Sequence, residues 1–134
     1  MATITKFEDL EIWQEARRLS KEIISISKNT KLNKDFKFNA QINSSGSVMN
    51  NIAEGFERNG NAEFRQFLSI AKGSTGEARS QLYRVFDNDY INEEQLKYLA
   101  IEYEKLSVKI HNFITYLNKK KFKGTKFIDP HSNT

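Results

Sequence analysis

The sequence predicts an all-α fold, an up-down antiparallel four-helix bundle. In four long segments, apolar residues recur at steps of three and four, and residues so spaced share one face of a helix. The one proline, Pro130, lies among the last five residues, so none interrupts these segments. Their polar connections are short, which favours antiparallel neighbours. We therefore expect one domain over residues 1–134, with helices at about 9–28, 36–59, 62–88 and 93–118 and a basic tail at 119–134.

The first helix should follow a short disordered lead at residues 1–6. Thr5 or Asp9 should cap its N-terminus, because such side chains accept hydrogen bonds from the first free amides of a helix. The predicted buried stripe of this helix is Leu10, Trp13, Ala16, Leu19, Ser20, Ile23, Ile24 and Ser27.

The second and third helices form the stretch around which the chain is organised. Gly60 suits a C-terminal cap with positive φ between them, and Asn61 suits the next N-cap. Both helices contain glycines such as Gly55 and Gly73, although glycine inside a helix costs up to ~1 kcal/mol relative to alanine. We expect the two backbones to approach closely. The predicted stripes are Phe38, Ile42, Ser45, Met49, Ile52 and Phe56, and then Phe64, Phe67, Ala71, Ser74, Ala78, Leu82 and Val85.

The fourth helix has the clearest start, because Asn92 and Gln95 have the spacing of a capping box. Its apolar residues alternate steps of three and four throughout, which is the spacing of a bundle seam. The predicted stripe is Leu96, Leu99, Tyr103, Leu106, Ile110, Phe113 and Leu117.

The composition excludes several classes of protein. The chain has no cysteine, so disulfides and thiolate metal sites are excluded. No apolar run approaches the ~20 residues that a membrane span requires, and the N-terminus lacks the apolar core of a signal peptide. We therefore expect a cytoplasmic protein without membrane contact.

The net charge of +4 resides entirely in the C-terminal segment. Residues 118–134 hold five lysines and one aspartate, whereas the preceding 117 residues hold sixteen basic and sixteen acidic groups. The lysines are interleaved with Phe122 and Phe127, which suits phosphate contacts combined with base stacking. The alternative is a solubilising end without a partner. The predicted nucleic-acid-binding residues are Lys119, Lys120, Lys121, Lys123 and Lys126.

A motif in the helix-two to helix-three stretch resembles a known family. It comprises Asn51-Ile52-Ala53-Glu54-Gly55-Phe56, Glu63-Phe64 through Leu68, Ala71-Lys72-Gly73-Ser74 and Glu77, with Phe7-x-Asp9-Leu10-x-x-Trp13-Gln14-x-Ala16 upstream and Tyr90-Ile91 downstream. This pattern is similar to the four-helix-bundle family of rRNA-intervening-sequence proteins, which includes accessory proteins of diversity-generating retroelements. The resemblance covers roughly positions 7–117.

The resemblance implies an up-down four-helix bundle assembled as a ring, typically a homopentamer. Because some members of the family bind nucleic acid, the resemblance also implies nucleic-acid binding. It implies no known catalytic activity. The aromatic residues outside the stripes indicate either that the stripes are wide or that the surplus covers a subunit interface, where such residues are enriched. Where the family often has an arginine after Gln41, this chain has Asn43-Ser44-Ser45, which shifts the expected nucleic-acid contact to the tail.

Polar residues share the facing edges of the second and third helices. Glu54 and Glu77 could act as an acid–base or metal-binding pair, but the only histidines, His111 and His131, lack partners at ligand spacing. The other interpretation is a polar network that sets the helix register, with Asn51 and Glu54 holding the hairpin. We name Asn51, Glu54, Gly55, Ser74 and Glu77 the hairpin motif and expect no metal, cofactor or catalytic residue.

The sequence therefore predicts a non-catalytic, oligomeric bundle that binds nucleic acid, RNA first, through lysine-rich surfaces. One alternative is a homo-oligomeric scaffold for a protein partner that does not bind nucleic acid. A further alternative is a carboxylate-based enzyme.

Overall fold

The computed structural model describes residues 3–35, 39–120 and 129–130, apart from the side chains of Asn33 and residues 39–42. One turn of 3-10 helix at Phe7–Asp9 precedes the first α-helix, and another at Lys31–Lys34 follows it. The four α-helices are α1 (Glu11–Asn29), α2 (Asn39–Glu57), α3 (Asn61–Asp87) and α4 (Glu93–Lys120).

The helices form an antiparallel bundle, as the sequence predicts. Contacts run in opposite directions along neighbouring helices: Ser44 and Ser47 of α2 meet Glu77 and Ser74 of α3, in that order. Asn61 at the start of α3 meets Leu117 near the end of α4. The bundle closes where Arg18 of α1 meets Glu102 of α4. As a result, the N-termini of α1 and α3 lie at the same end of the bundle as the C-termini of α2 and α4.

The core follows the predicted stripe most closely in α4. All seven of its predicted residues are buried, including Tyr103 and Phe113. In α3 the observed stripe is displaced at two positions, since Leu68 and Thr75 are buried while Phe67 and Ser74 are half-buried. Steps of three and four fit two neighbouring stripes equally well, and only packing against other helices selects one.

The predicted stripes of α1 and α2 need similar corrections. In α1, Ile12 is fully buried, whereas Ile24 is 38% exposed and Trp13 is half-buried. In α2, Val48 is buried and Met49 is half-buried. The predicted members Phe38 and Ile42 lie outside the residues whose side chains the structure describes.

The helix ends show one confirmed prediction and one that was wrong. Asn92 and Gln95 form the capping box, with each backbone N–H donating to the other side chain at 2.9 and 2.8 Å. In contrast, neither Thr5 nor Asp9 caps α1, because its N-cap residue is Leu10, which makes no side-chain cap bond. Ile4 is 7% exposed and belongs to the core, so this part of the lead is packed.

The connection between α2 and α3 also differs from the prediction. The residue with positive φ is Asn59, at 59°, whereas Gly60 has φ −153° and is the N-cap of α3. Asparagine tolerates the left-handed region, so it can reverse the chain without glycine. Asn61 is the first residue of α3, and it is buried.

The expected close approach of α2 and α3 is found at one glycine. A Cβ at Gly55 would lie 2.5 Å from Phe67 Cβ and 3.1 Å from Phe64 Cδ1. At Gly46, Gly73 and Gly76 an added Cβ would meet nothing within 4 Å. Of these four glycines, only Gly55 is explained by the close approach of two helices within the described bundle.

We predict that Gly55→Ala destabilises the bundle by about 1–3 kcal/mol, because the methyl group must displace Phe67 or separate the two helices. Gly73→Ala is the matched control, and it should stabilise the protein by up to ~1 kcal/mol, since alanine favours the helix and has free space there. Urea unfolding followed by circular dichroism measures both changes. Equal effects of the two substitutions would contradict the close-approach explanation.

Candidate nucleic-acid interface

Two of the predicted nucleic-acid-binding lysines lie at the end of the bundle where α4 terminates. Lys119 and Lys120 lie exposed in the last turn of α4, where cations also offset the helix dipole. Lys120 Nζ lies 5.6 Å from the ring centroid of Tyr116, within range of a cation–π contact. The predicted residues Lys121, Lys123 and Lys126 lie outside the described residues.

Arg65 adds a third cation beside this turn. Its Nε donates to Asn61 Oδ1 at 2.7 Å, and its Nη1 donates to Asn118 Oδ1 at 3.3 Å. Asn61 is held in turn by Leu117, whose backbone oxygen accepts from Asn61 Nδ2 at 2.9 Å. Both partners of Arg65 are neutral amides, so neither compensates the guanidinium charge. Sequence reasoning missed Arg65, because no local pattern links it to Asn118.

One acidic residue of the C-terminal segment lies at this same end. Asp129 is 1% exposed, and its Oδ2 accepts a hydrogen bond of 2.9 Å from the backbone N–H of Glu11, the first residue of α1. The sequence suggested only a basic tail here. A contact between residues 118 positions apart leaves no signature in local sequence patterns.

The hairpin motif brings the facing edges of α2 and α3 together. Ser47 Oγ and Ser74 Oγ lie 3.0 Å apart, and Ser44 Oγ donates to Glu77 Oε1 at 2.5 Å. Asn51 stays within α2, where its Nδ2 donates to the backbone oxygen and the hydroxyl of Ser47 at 2.8 and 3.0 Å. Asn51 therefore orients the serine that crosses to α3.

Glu54 has a different role from the one expected of it. Its carboxylate faces Arg58 on its own helix at 3.8 Å, and both side chains are about half exposed. Arg58 also lies over the Phe67 ring, at 5.2 Å from the centroid. The cross-helix hydrogen bonds come from serines and Glu77, so the interpretation that Glu54 holds the hairpin needs correction. Glu54 and Glu77 each have a separate partner.

The densest charged cluster joins α1 to α4. Arg18 donates to Glu15 at 2.8 Å, to Glu22 at 3.1 Å and to Glu102 at 2.5 Å. Lys105 contacts the other Glu102 oxygen at 3.3 Å, and Lys109 pairs with Glu11. Sequence reasoning missed the cluster because its cross-helix pairs are far apart in the chain.

Pairing keeps Arg18 and Glu102 ionised. Burial opposes the charge of Glu102, but hydrogen bonds from Arg18 and Lys105 outweigh it and lower the pKa of that carboxyl. Burial likewise opposes the charge of Arg18, and hydrogen bonds to Glu15 and Glu102 outweigh it, so the pKa of the guanidinium is raised. The cluster therefore links α1 to α4. It differs from an acid–base site, which needs a group whose pKa lies near the working pH.

The described residues contain no group of three or more His, Asp or Glu side chains placed to hold a metal ion. In the same part of the chain, every helix is too short or too polar to cross a lipid bilayer.

Exposed apolar side chains lie beside a groove between α3 and α4 that is also lined by Arg79, Lys97 and Glu104. This groove encloses about 590 Å³ beside Tyr83 and Ile101, each 52% exposed, and Val108 farther along α4 is 54% exposed. Gly76 and Ala100 leave its floor open. We name Tyr83, Ile101 and Val108 the apolar face.

The polar contacts of the hairpin predict that replacing Glu77 destabilises the protein more than replacing Glu54 does. Glu77→Ala should cost about 1 kcal/mol, because it leaves the buried Ser44 hydroxyl without its acceptor. Glu54→Ala should change the free energy of unfolding by less than about 0.5 kcal/mol, since exposed ion pairs contribute little. Thermal unfolding compares the two, and a larger loss for Glu54→Ala would restore the original hypothesis.

Comparison with known proteins bears on the whole bundle. No curated protein matches the chain. A crystal structure of a protein of unknown function from the S23 ribosomal protein family of Bacteroides thetaiotaomicron is similar, with a TM-score of 0.65 and 20% sequence identity over 78% of this chain and 95% of that chain. At 20% sequence identity, this similarity shows that the two proteins share a fold. The model of the 23S rRNA-intervening sequence protein family matches residues 8–112, and the chain belongs to that family.

Proposed function

We propose that this protein is a non-catalytic, homo-oligomeric, cytoplasmic bundle that binds nucleic acid, RNA first, at the bundle end. The observation that carries the proposal is the cluster of Lys119, Lys120 and Arg65. The sequence continues directly from this cluster into Lys121, Lys123 and Lys126. A phosphate backbone binds such groups by releasing its counterions.

The charge of the remaining surface supports this location. Several cations along the helices are paired with glutamates, as in Arg79–Glu104 at 3.4 Å and Lys97–Glu93 at 3.1 Å. The first 117 residues have no net charge. The net positive charge of the chain therefore lies in residues 118–134. Several copies in one oligomer would strengthen binding through avidity.

The proposal of a non-catalytic role is supported by how the acidic groups are used. Glu102 is engaged by Arg18 and Lys105, and Glu77 accepts from Ser44. The enzyme alternative requires Glu54 and Glu77 to act together, whereas each contacts a different residue.

The second candidate is an assembly scaffold without nucleic-acid binding, and the apolar face favours it. Three large apolar side chains, each more than half exposed, form a surface that a protein subunit could cover. The same face supports homo-oligomerisation, and the family resemblance implies a homopentamer. Both candidate functions involve a homo-oligomer. They differ in whether the lysines at and after the end of α4 bind nucleic acid.

We predict that structured RNA binds the full-length protein with an affinity that falls steeply between about 50 and 200 mM salt. Replacing Lys119, Lys120 and Lys121 with Gln should weaken binding and reduce the salt slope by up to ~0.7 for each lysine removed. The matched control replaces the exposed Lys28, Lys31 and Lys34 with Gln, which changes the net charge equally at the opposite end of the bundle. Fluorescence anisotropy measures both variants.

The outcomes separate the two candidates. Equal losses in both triple variants would contradict the bundle-end location. No binding of RNA or duplex DNA by micromolar wild-type protein at low salt would overturn the nucleic-acid proposal and leave the scaffold.

We also predict that Ile101→Glu reduces the subunit number measured by light scattering, because a buried carboxylate at an interface without a partner is unfavourable. Ile70→Glu is the control, since Ile70 is 48% exposed and lies outside the groove. If Ile101→Glu keeps the wild-type mass, the apolar face is not the assembly surface.

A further inference from the structure

The guanidinium of Arg65 is held from two helices at the end of the bundle where α4 terminates. Its Nε donates to Asn61 Oδ1 at 2.7 Å, and its Nη1 donates to Asn118 Oδ1 at 3.3 Å. Asn61 and Arg65 belong to α3, whereas Asn118 belongs to α4. The orientation of the guanidinium therefore depends on how these two helices pack.

The backbone of α4 sets the orientation of Asn61 in turn. Asn61 is 8% exposed, and its Nδ2 donates to the backbone oxygen of Leu117 at 2.9 Å. Because a carbonyl oxygen only accepts hydrogen bonds, the NH2 group of the amide must face Leu117, and the amide oxygen is left to accept from Arg65. An ionised aspartate could not make both contacts, since it has no donor. Asparagine at position 61 is thus suited to orienting Arg65.

The contacts of Arg65 within the described residues leave its charge uncompensated. Both acceptors are neutral amides, and the acidic residue nearest in sequence, Glu63, lies 3.9 Å from Arg58. The two hydrogen bonds use two of the five N–H donors of a guanidinium, which leaves one donor on Nη1 and two on Nη2. Because the side chain is only half-buried, a ligand can approach it. Paired donors in one plane match two oxygens of a single phosphate group.

We propose that Arg65 is an oriented site for one phosphate group of the nucleic-acid backbone and that Asn61 and Asn118 are its positioning residues, roles that rest on the proposed function. Lys119 and Lys120, in the last turn of α4, attract the backbone through charge. A lysine ammonium is a compact charge on a flexible stem, whereas a guanidinium that is already held loses little side-chain freedom on binding. Arg65 therefore contributes to affinity through geometry as well as charge.

Binding of a structured RNA hairpin to the full-length protein, measured by fluorescence anisotropy across a salt series, separates geometry from charge. Arg65→Lys keeps the charge and loses the planar donors, so the affinity should fall roughly three- to tenfold while the salt slope stays unchanged. Arg84→Lys is the matched control in the last turn of α3, where Arg84 Nη1 also donates to a neutral amide, Gln81 Oε1, at 3.0 Å. It should leave the affinity unchanged.

Asn61→Ala tests the positioning, because it keeps Arg65 and every charge. The affinity should fall at an unchanged salt slope. In the Arg65→Lys background the same substitution should have little further effect on RNA binding, since no oriented guanidinium remains, whereas a purely structural role of Asn61 predicts losses that add. Circular dichroism checks the fold. Should Asn61→Ala fail to fold, Asn118→Ala at an exposed position removes the other amide and completes the same double-mutant cycle.

The outcomes distinguish the oriented site from the proposed function. If the wild-type protein binds RNA, an unchanged affinity of Arg65→Lys, or equal losses in Arg65→Lys and Arg84→Lys, would overturn the oriented site and leave nucleic-acid binding intact. Additive losses in the double-mutant cycle would overturn the positioning role. No RNA binding by micromolar wild-type protein at low salt would overturn both the oriented site and the proposed function.

Discussion

The structure depends on the close contact between α2 and α3. Gly55 lets the two backbones approach until only a hydrogen fits against Phe67. The Ser47–Ser74 and Ser44–Glu77 contacts then fix how far one helix slides along the other. Because hydrogen bonds depend on distance and direction, they specify a register that apolar contacts alone specify weakly.

The α1–α4 side of the bundle is held by a different kind of interaction. There, Arg18 and Glu102 form the centre of an ionic cluster, while the apolar stripes meet beneath it. Arg18 and Glu102 remain charged because each has an oppositely charged partner. Such a seam contributes less to stability than apolar burial of similar extent.

These two seams together assemble the candidate interface. With the helices antiparallel and in register, the start of α3 lies against the end of α4, where Arg65 meets Asn118 next to the lysines. The start of α1 lies at the same end and receives Asp129. Helix packing thus brings Arg65, Asp129 and the last turn of α4 to one end of the bundle, although they come from separate parts of the chain.

The sequence by itself determined the all-α class, the approximate extent of the four helices, the α4 stripe, the Asn92–Gln95 capping box and the family. All of these depend on residues a few positions apart, or on a motif read along the chain. Only the tertiary structure decided which of two adjacent stripes α3 buries, that Glu77 rather than Glu54 crosses the hairpin, and that Arg65 and Asp129 lie at the lysine end. Those features depend on the rotation and sliding of each helix against its neighbours, and packing of the whole bundle sets both.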